Sequence, residues 1–346
     1  MSESVYVGLD AHKSVVVATT VTAEGRQLDQ STFGPTDSEL IDYLEQWPGS
    51  KKVVLEASPV WEHFYDAAAS AGAEVVLSHP TKTRMIAEAS LKSDRVDSET
   101  LATLLRLNAV PEAYVPEEAT RVLRRLVRDR FYYSRKSRSA QCHIYAALLR
   151  RGIPYESRVL SFKGRREKLR SHQIPEVDRG LDFLLAIEGS TRDIDRAIHA
   201  AFQESKEAQL LASLPGVGEL TAVTLVAYLC PISRWNNVDE VVGYCGLCPT
   251  NFQSATVSRQ GHLRKDSNGI LRWILVEASW SARRYDPNGD VARIGKRIGR
   301  KKGAQRGAIS AAHKLLKICY GVLRRGTPFQ PHAPERLAVE DRRRTR

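Results

Sequence analysis

No stretch of this chain approaches the roughly 20 consecutive apolar residues that a membrane-crossing helix needs, so a helical membrane protein is not expected. Cysteine is scarce: there are five, an odd number at irregular spacing, which argues against a disulfide framework. Cys245 and Cys248 have CxxC spacing, but no second CxxC completes a zinc site, and a reduced structural role is the expectation. The chain has no GxxxxGK[ST] loop, no HExxH and no GxSxG, which removes the P-loop nucleotide hydrolases, the zincins and the nucleophile-elbow hydrolases. Met1-Ser2-Glu3-Ser4 carries neither a basic nor a long apolar segment, so a cytoplasmic location is expected.

Acidic residues are locally scarce as well. The formal net charge is +12 over 346 residues and the pI about 9.5. Residues 121–170 hold 16 Lys or Arg against three acids, Asp129, Glu156 and Glu167. A second basic run holds Arg293, Lys296, Arg297, Arg300, Lys301, Lys302 and Arg306. Clusters of this kind neutralise phosphates without reading sequence, so a nucleic-acid partner is expected.

The hydrophobic pattern divides the chain. A strand over 5–10, a β-branched hairpin partner over 14–21, a weak strand near 30–33, and then helix and strand in alternation up to residue 78 describe an α/β domain with helices packed on a mixed sheet. Asp37 or Ser38 is the expected cap of the first helix, over 38–46. From about residue 117 the pattern is helical. Two long amphipathic segments separated by Gly152-Ile153-Pro154 suggest a helical hairpin or coiled-coil arm, or else ordinary bundle helices. The last part reads as helical with one polar loop, roughly 249–268, and a charged, disordered tail after Pro331. The expected boundaries are 1–115, 116–207, 208–330 and a tail of 331–346.

Four carboxylates stand where they can act together. Asp10 closes the run Val5-Tyr6-Val7-Gly8-Leu9, and Glu56 closes Val53-Val54-Leu55. Asp94 and Asp97 lie three apart at the start of a predicted helix, on one face. Strand-end acids with a helix-borne pair suit a hard divalent cation. Two such ions, about 3.5–4 Å apart, can clamp the attacking and leaving oxygens of a phosphodiester. His12 and His79 lie nearby and read as surface or structural histidines.

Leu214-Pro215-Gly216-Val217-Gly218 before a helical run is similar to the turn of a helix-hairpin-helix, in which glycines let the backbone approach a phosphate. The polar loop places Ser254 and Ser258 among Arg259, Arg264 and Lys265, where a hydroxyl could attack a phosphate whose developing charge the cations stabilise.

Gly8-Leu9-Asp10-Ala11-His12-Lys13, Leu55-Glu56-Ala57-Ser58, Lys92-Ser93-Asp94-Arg95-Val96-Asp97-Ser98, the Pro-Gly-Val-Gly turn, Gly246-Leu247-Cys248-Pro249, Gln253-Ser254, and Gly261 through Asn268 to Leu271-Arg272 occur in that order. Together they resemble the DEDD transposases of the IS-one-ten insertion-sequence family, over residues 5 to 328. The resemblance implies a RuvC-like, RNase-H-type nuclease domain, a coiled-coil segment and a C-terminal helical transposase domain. It implies that Asp10, Glu56, Asp94 and Asp97 form the Mg²⁺-binding tetrad, with two metal ions. Ser254 matches the serine that attacks DNA to give a phosphoserine link. It further implies recombination guided by a structured bridge RNA, by dimers that pair into tetramers. Ala255 stands where the family has glycine after the serine, and Leu263-Arg264-Lys265 where it has Ile-Thr-Lys. Arg121, Arg124, Arg125, Arg128, Gly216, Gly218, Arg259, Arg264 and Lys265 are the candidate nucleic-acid contacts. Two rival readings are a RuvC-like nuclease that uses water as nucleophile and a non-catalytic DNA- or RNA-binding protein.

Overall fold

The computed structural model describes residues 4–86, 94–156, 158–254, 257–264 and 266–331, with the backbone alone for 251–254 and 257–260. The expected tail and Lys265 lie outside the described residues. Among the described residues no helix is long and apolar enough to cross a membrane. The chain divides into two compact units, Met1–Pro116 and Glu117–Arg346.

The first unit runs β1 (Val5–Ala11), β2 (Val16–Val21), β3 (Gln27–Phe33), α1 (Asp37–Glu45), β4 (Lys51–Glu56), α2 (Trp61–Ser70), β5 (Glu74–Ser78), α3 (Pro80–Ile86) and α4 (Asp94–Arg106). The sheet order is β3-β2-β1-β4-β5. The pairs β1/β2 and β2/β3 are antiparallel, and β1/β4 and β4/β5 are parallel. Alternation along the buried strands feeds two apolar layers. Leu9, Val53 and Leu55 pack with Leu40, Leu44 and Phe64 of α1 and α2, while Val54 packs with Leu101 and Leu105 of α4. The α/β reading therefore holds, including the weak third strand. The cap of α1 does not follow the expectation: Thr36, not Asp37 or Ser38, accepts the amide of Glu39. Thr36 is the last residue with extended backbone, and Asp37 already belongs to the first turn.

The second unit contains α5 (Glu118–Arg150), α6 (Lys163–Arg170), α7 (Pro175–Glu204), α8 (Lys206–Ala212), α9 (Glu219–Leu229), α10 (Val238–Tyr244), β6 (Pro249–Ser254), β7 (Val257–Leu263), α11 (Gly269–Tyr285), α12 (Asp290–Lys302) and α13 (Ala304–Arg325). The long helices α5 and α7 form a hairpin. One end has its own core of Ile144, Leu148, Val177, Leu181 and Leu184. The other end contributes Val127 and Ile198 to the core built by α8, α9, α11 and α13. The polar loop expected over 249–268 is instead an antiparallel hairpin, with Phe252 opposite Arg259, Gln253 opposite Ser258 and Ser254 opposite Val257. Its strands lack an alternating apolar face, so periodicity did not reveal them.

Candidate active site

The strand register brings the first two carboxylates to one edge. Leu9 pairs with Leu55 in the parallel β1/β4 ladder, so Asp10 and Glu56 follow at the carboxyl ends of neighbouring strands. Such ends, in an open sheet, are where ligands gather. Helix α4 crosses over this edge. It approaches β1 at backbone distance because residue 8 is glycine: a Cβ there would stand 2.1 Å from the Ser98 carbonyl oxygen and 2.5 Å from the Ala102 nitrogen.

A directional relay holds the first turn of α4. The Gln30 amide donates to Thr19 Oγ1 (3.0 Å) and to the Arg95 carbonyl (3.2 Å). Ser98 donates its one hydroxyl proton to the same carbonyl at 3.0 Å, so Thr19 donates to Ser98 Oγ across the buried 2.8 Å contact.

Asp94 and Asp97 thus sit in the first turn of α4, as expected. Ligand atoms of Asp10, His12 and Asp94 all lie within 4.8 Å of one another. His12 Nε2 is 3.2 Å from Asp10 Oδ1 and 3.9 Å from Asp94 Oδ1. Glu56 shares the edge but not this cluster. Burial pushes the Asp10 carboxyl above its ordinary value, against the pull of His12, and the charges of Asp94 and Asp97 push it further up. Two carboxylates gathered beside one imidazole, with the charged form of Asp10 disfavoured, fit a hard divalent cation. His12, read from the sequence as a surface or structural histidine, is exposed and also stands beside Asp10 and Asp94. Its position two residues after Asp10, in the turn between β1 and β2, was the available signal.

The candidate nucleic-acid contacts separate into different environments. Arg121 is buried and pairs with Glu118. Arg124 donates to the Ala227 carbonyl and lies over the Tyr228 ring, tying α5 to α9. Arg125 pairs with Glu118. Arg128 is exposed, with Nε 3.3 Å from the Tyr228 hydroxyl. Gly216 has φ +83°, and a Cβ there would stand 2.2 Å from the Ala282 nitrogen. The close backbone approach at Gly216 is to α11, not to a phosphate. Gly218 precedes α9 and faces open space, but Glu219 follows and holds His199 at 3.0 Å, which places a carboxylate at that helix start. Arg264 pairs with Asp266 at 2.6 Å. Ser254 is the last residue of β6, at the hairpin tip, and Arg259 lies on β7.

Residues 7–152 match the model of a DEDD transposase of the IS110 type, and residues 208–291 match one described as the transposase IS116/IS110/IS902 family. The first match contains all four carboxylates and the second contains Ser254. The chain belongs to this family of insertion-sequence transposases. It is similar to the y4qE and y4rJ proteins of Sinorhizobium fredii, named as candidate transposases. The identities are 24% and 25%, over 70% and 80% of this chain and 60% and 74% of theirs. It is also 24% identical to the transposase for insertion sequence element IS1111A of Coxiella burnetii, over 80% of this chain and 79% of that one. The chain thus spans 60% of the length of y4qE. Among solved structures, T. thermophilus RuvC in complex with Holliday junction substrate aligns with 32% of this chain and 99% of that chain, at 13% identity and a TM-score of 0.25.

Proposed function

We propose that this chain is an insertion-sequence recombinase that cuts and rejoins DNA strands, using a RuvC-like Asp10–Glu56–Asp94–Asp97 metal centre and Ser254 as nucleophile, under the guidance of a structured RNA. The observation that carries the reading is the convergence of Asp10 and Asp94 over the carboxyl edge of β1 and β4, beside His12. Asp10, Asp94, Asp97 and Glu56 would hold Mg²⁺. When bound, the ion supplies positive charge to a phosphodiester at this edge. His12, within hydrogen-bond reach of Asp10 and 3.9 Å from Asp94, would orient the Asp10 carboxylate.

In the strand-cutting step the Ser254 hydroxyl gives up its proton as Oγ forms a bond to phosphorus. The bond from phosphorus to one deoxyribose oxygen breaks, and that oxygen leaves with the electron pair and takes up a proton. Rejoining is the reverse, with the hydroxyl of another strand displacing the serine. DNA ends and target, a guide RNA and assembly of dimers into tetramers are the partners this reading entails.

The test is strand cleavage by Asp10→Asn and Asp97→Asn with Mg²⁺ present and with it chelated. Both variants should bind DNA and fall at least a hundredfold in cleavage. Cleavage retained in both, with the wild-type metal dependence, overturns the tetrad.

A further inference from the structure

Part of the concentrated charge of residues 121–170 is answered within the second unit. Helix α7 carries acids that meet it: Glu176 with Arg150 and Arg151, Asp182 with Arg170 at 2.5 Å, Glu188 with Arg166 at 2.5 Å and Asp195 with Arg130 at 2.6 Å. Glu118 takes Arg121 and Arg125. Arg128 and Arg135, on one face of α5, are among the cations that fall outside this pattern. Among the described residues no carboxylate pairs with Arg128 or Arg135, and both are exposed.

Arg128, Phe131 and Arg135 stand at helical spacing and line one wall of a cleft of about 460 Å³, with Tyr228 at its side. That volume lies in the range of small-ligand sites. The opposite wall is the first turn of α11. Asn268 caps it by accepting the amides of Ile270 and Leu271, and Gly269 lies exposed at its start. The positive end of a 17-residue helix therefore faces the same space as two arginines. Phe131 meets Trp273 edge-on at 4.4 Å, and Trp273 remains 39% exposed. Cations beside an aromatic edge are the elements with which proteins hold single strands: charge for the phosphate and a ring for the unstacked base.

We propose that this cleft binds one nucleotide of a single-stranded nucleic acid, with its phosphate between Arg128, Arg135 and the start of α11 and its base against Phe131. The assignment rests on the reading that the chain acts on nucleic acid, and it names a site for it. The hairpin of β6 and β7, with Ser254 at its tip, runs through Arg264 to Asn268, so a strand held here is anchored at the root of that hairpin.

The experiment is fluorescence anisotropy of the full chain with a labelled 12-nucleotide single-stranded DNA, an RNA of the same sequence and the corresponding duplex DNA, over a salt series. Arg128→Gln/Arg135→Gln should weaken single-strand binding at least tenfold and lower the salt slope by about 0.7, the contribution of one neutralised phosphate on a single strand. Phe131→Ala should weaken single strands and spare the duplex, and Phe131→Trp should restore binding. Arg196→Gln, a loss of one charge at an exposed residue of α7 to set against each single variant Arg128→Gln and Arg135→Gln, should change nothing. The strand chemistry that suffers more, DNA or RNA, identifies the natural occupant. Unchanged binding of all three probes by the folded double variant overturns the cleft. Equal losses for duplex and single strands, with Phe131→Ala silent, overturn the single-strand assignment. Cleavage by Asp10→Asn is scored separately: its persistence counts against the metal centre and leaves the cleft result untouched.

Discussion

Thr19 and Ser98 meet hydroxyl to hydroxyl at 2.8 Å in the buried seam between β2 and α4, at the centre of the relay that ends on the Arg95 carbonyl. Ser98→Ala leaves Thr19 without its acceptor and frees the turn that bears Asp94 and Asp97. The expected cost is about 1–3 kcal/mol, the range for a buried polar group left unsatisfied. Thr19→Val should cost less in the Ser98→Ala background than in wild type, because the partner is already gone. Denaturant titrations of the four proteins measure this coupling. Cleavage by Ser98→Ala should also need more Mg²⁺, whereas a purely structural loss would lower the folded fraction at every Mg²⁺ concentration alike.

Two glycines should respond in opposite directions to the same substitution. Gly8→Ala drives a Cβ into the backbone of α4 and should destabilise the first unit by about 1–3 kcal/mol or more, the range for overpacking. Gly189 lies within α7 with nothing near its missing Cβ. Gly189→Ala should stabilise by about 0.5–1 kcal/mol, because alanine loses less backbone entropy in a helix. Thermal midpoints moving in the same direction would contradict the contrast in packing.

The proposed nucleophile has a direct readout. Ser254→Ala should bind DNA and form no covalent protein–DNA adduct on denaturing gels, whereas Ser258→Ala, across from Gln253 in the hairpin, should keep it. An adduct that survives Ser254→Ala and vanishes in Ser258→Ala would move the chemistry to the other strand. Cleavage by the active wild type with no adduct would favour water as nucleophile.

His313 on α13 gives a pH dependence of stability. Burial holds its imidazole below the ordinary value of 6.5, Lys317 lowers it further, and Asp239 pulls weakly the other way. Above 6.5 the ring is neutral in both folded and unfolded chains, and its contribution is fully present. As the pH falls below 6.5 the unfolded chain takes up the proton first, so stability declines until the folded ring also titrates. His313→Asn should remove this part of the loss between pH 7.5 and 5 in denaturation midpoints. An unchanged slope would show that the ring titrates alike in both states.

Much of the first unit was legible because its strands are short, β-branched and bounded by turns, and because Asp10 and Glu56 each end such a run. Asp94 and Asp97 were legible from spacing and helix position alone. Other features depended on contacts distant in sequence. The fate of each arginine in residues 121–170 depends on acids up to 65 positions away, as Arg130 and Asp195 show. Gly216 looked like a phosphate turn because a tight approach to α11 requires the same residue as a tight approach to a ligand. His12 read only as a surface or structural histidine, because a single histidine carries no periodicity to show what it stands beside. The β6/β7 hairpin went unseen because polar strands pair through their backbones without an apolar face.

The acids of α7 also bear on discrimination. A helix with all its arginines unanswered would adhere to any polyanion, because phosphate contacts carry no sequence information. For any protein that selects among nucleic-acid sites, what governs is the ratio of specific to non-specific affinity. Each internal pair between α5 or α6 and α7 removes a cation from that indiscriminate attraction. Among the cations left over, Arg128 and Arg135 stand in a fixed arrangement, and a passing duplex that cannot present a phosphate to that pair gains little from it.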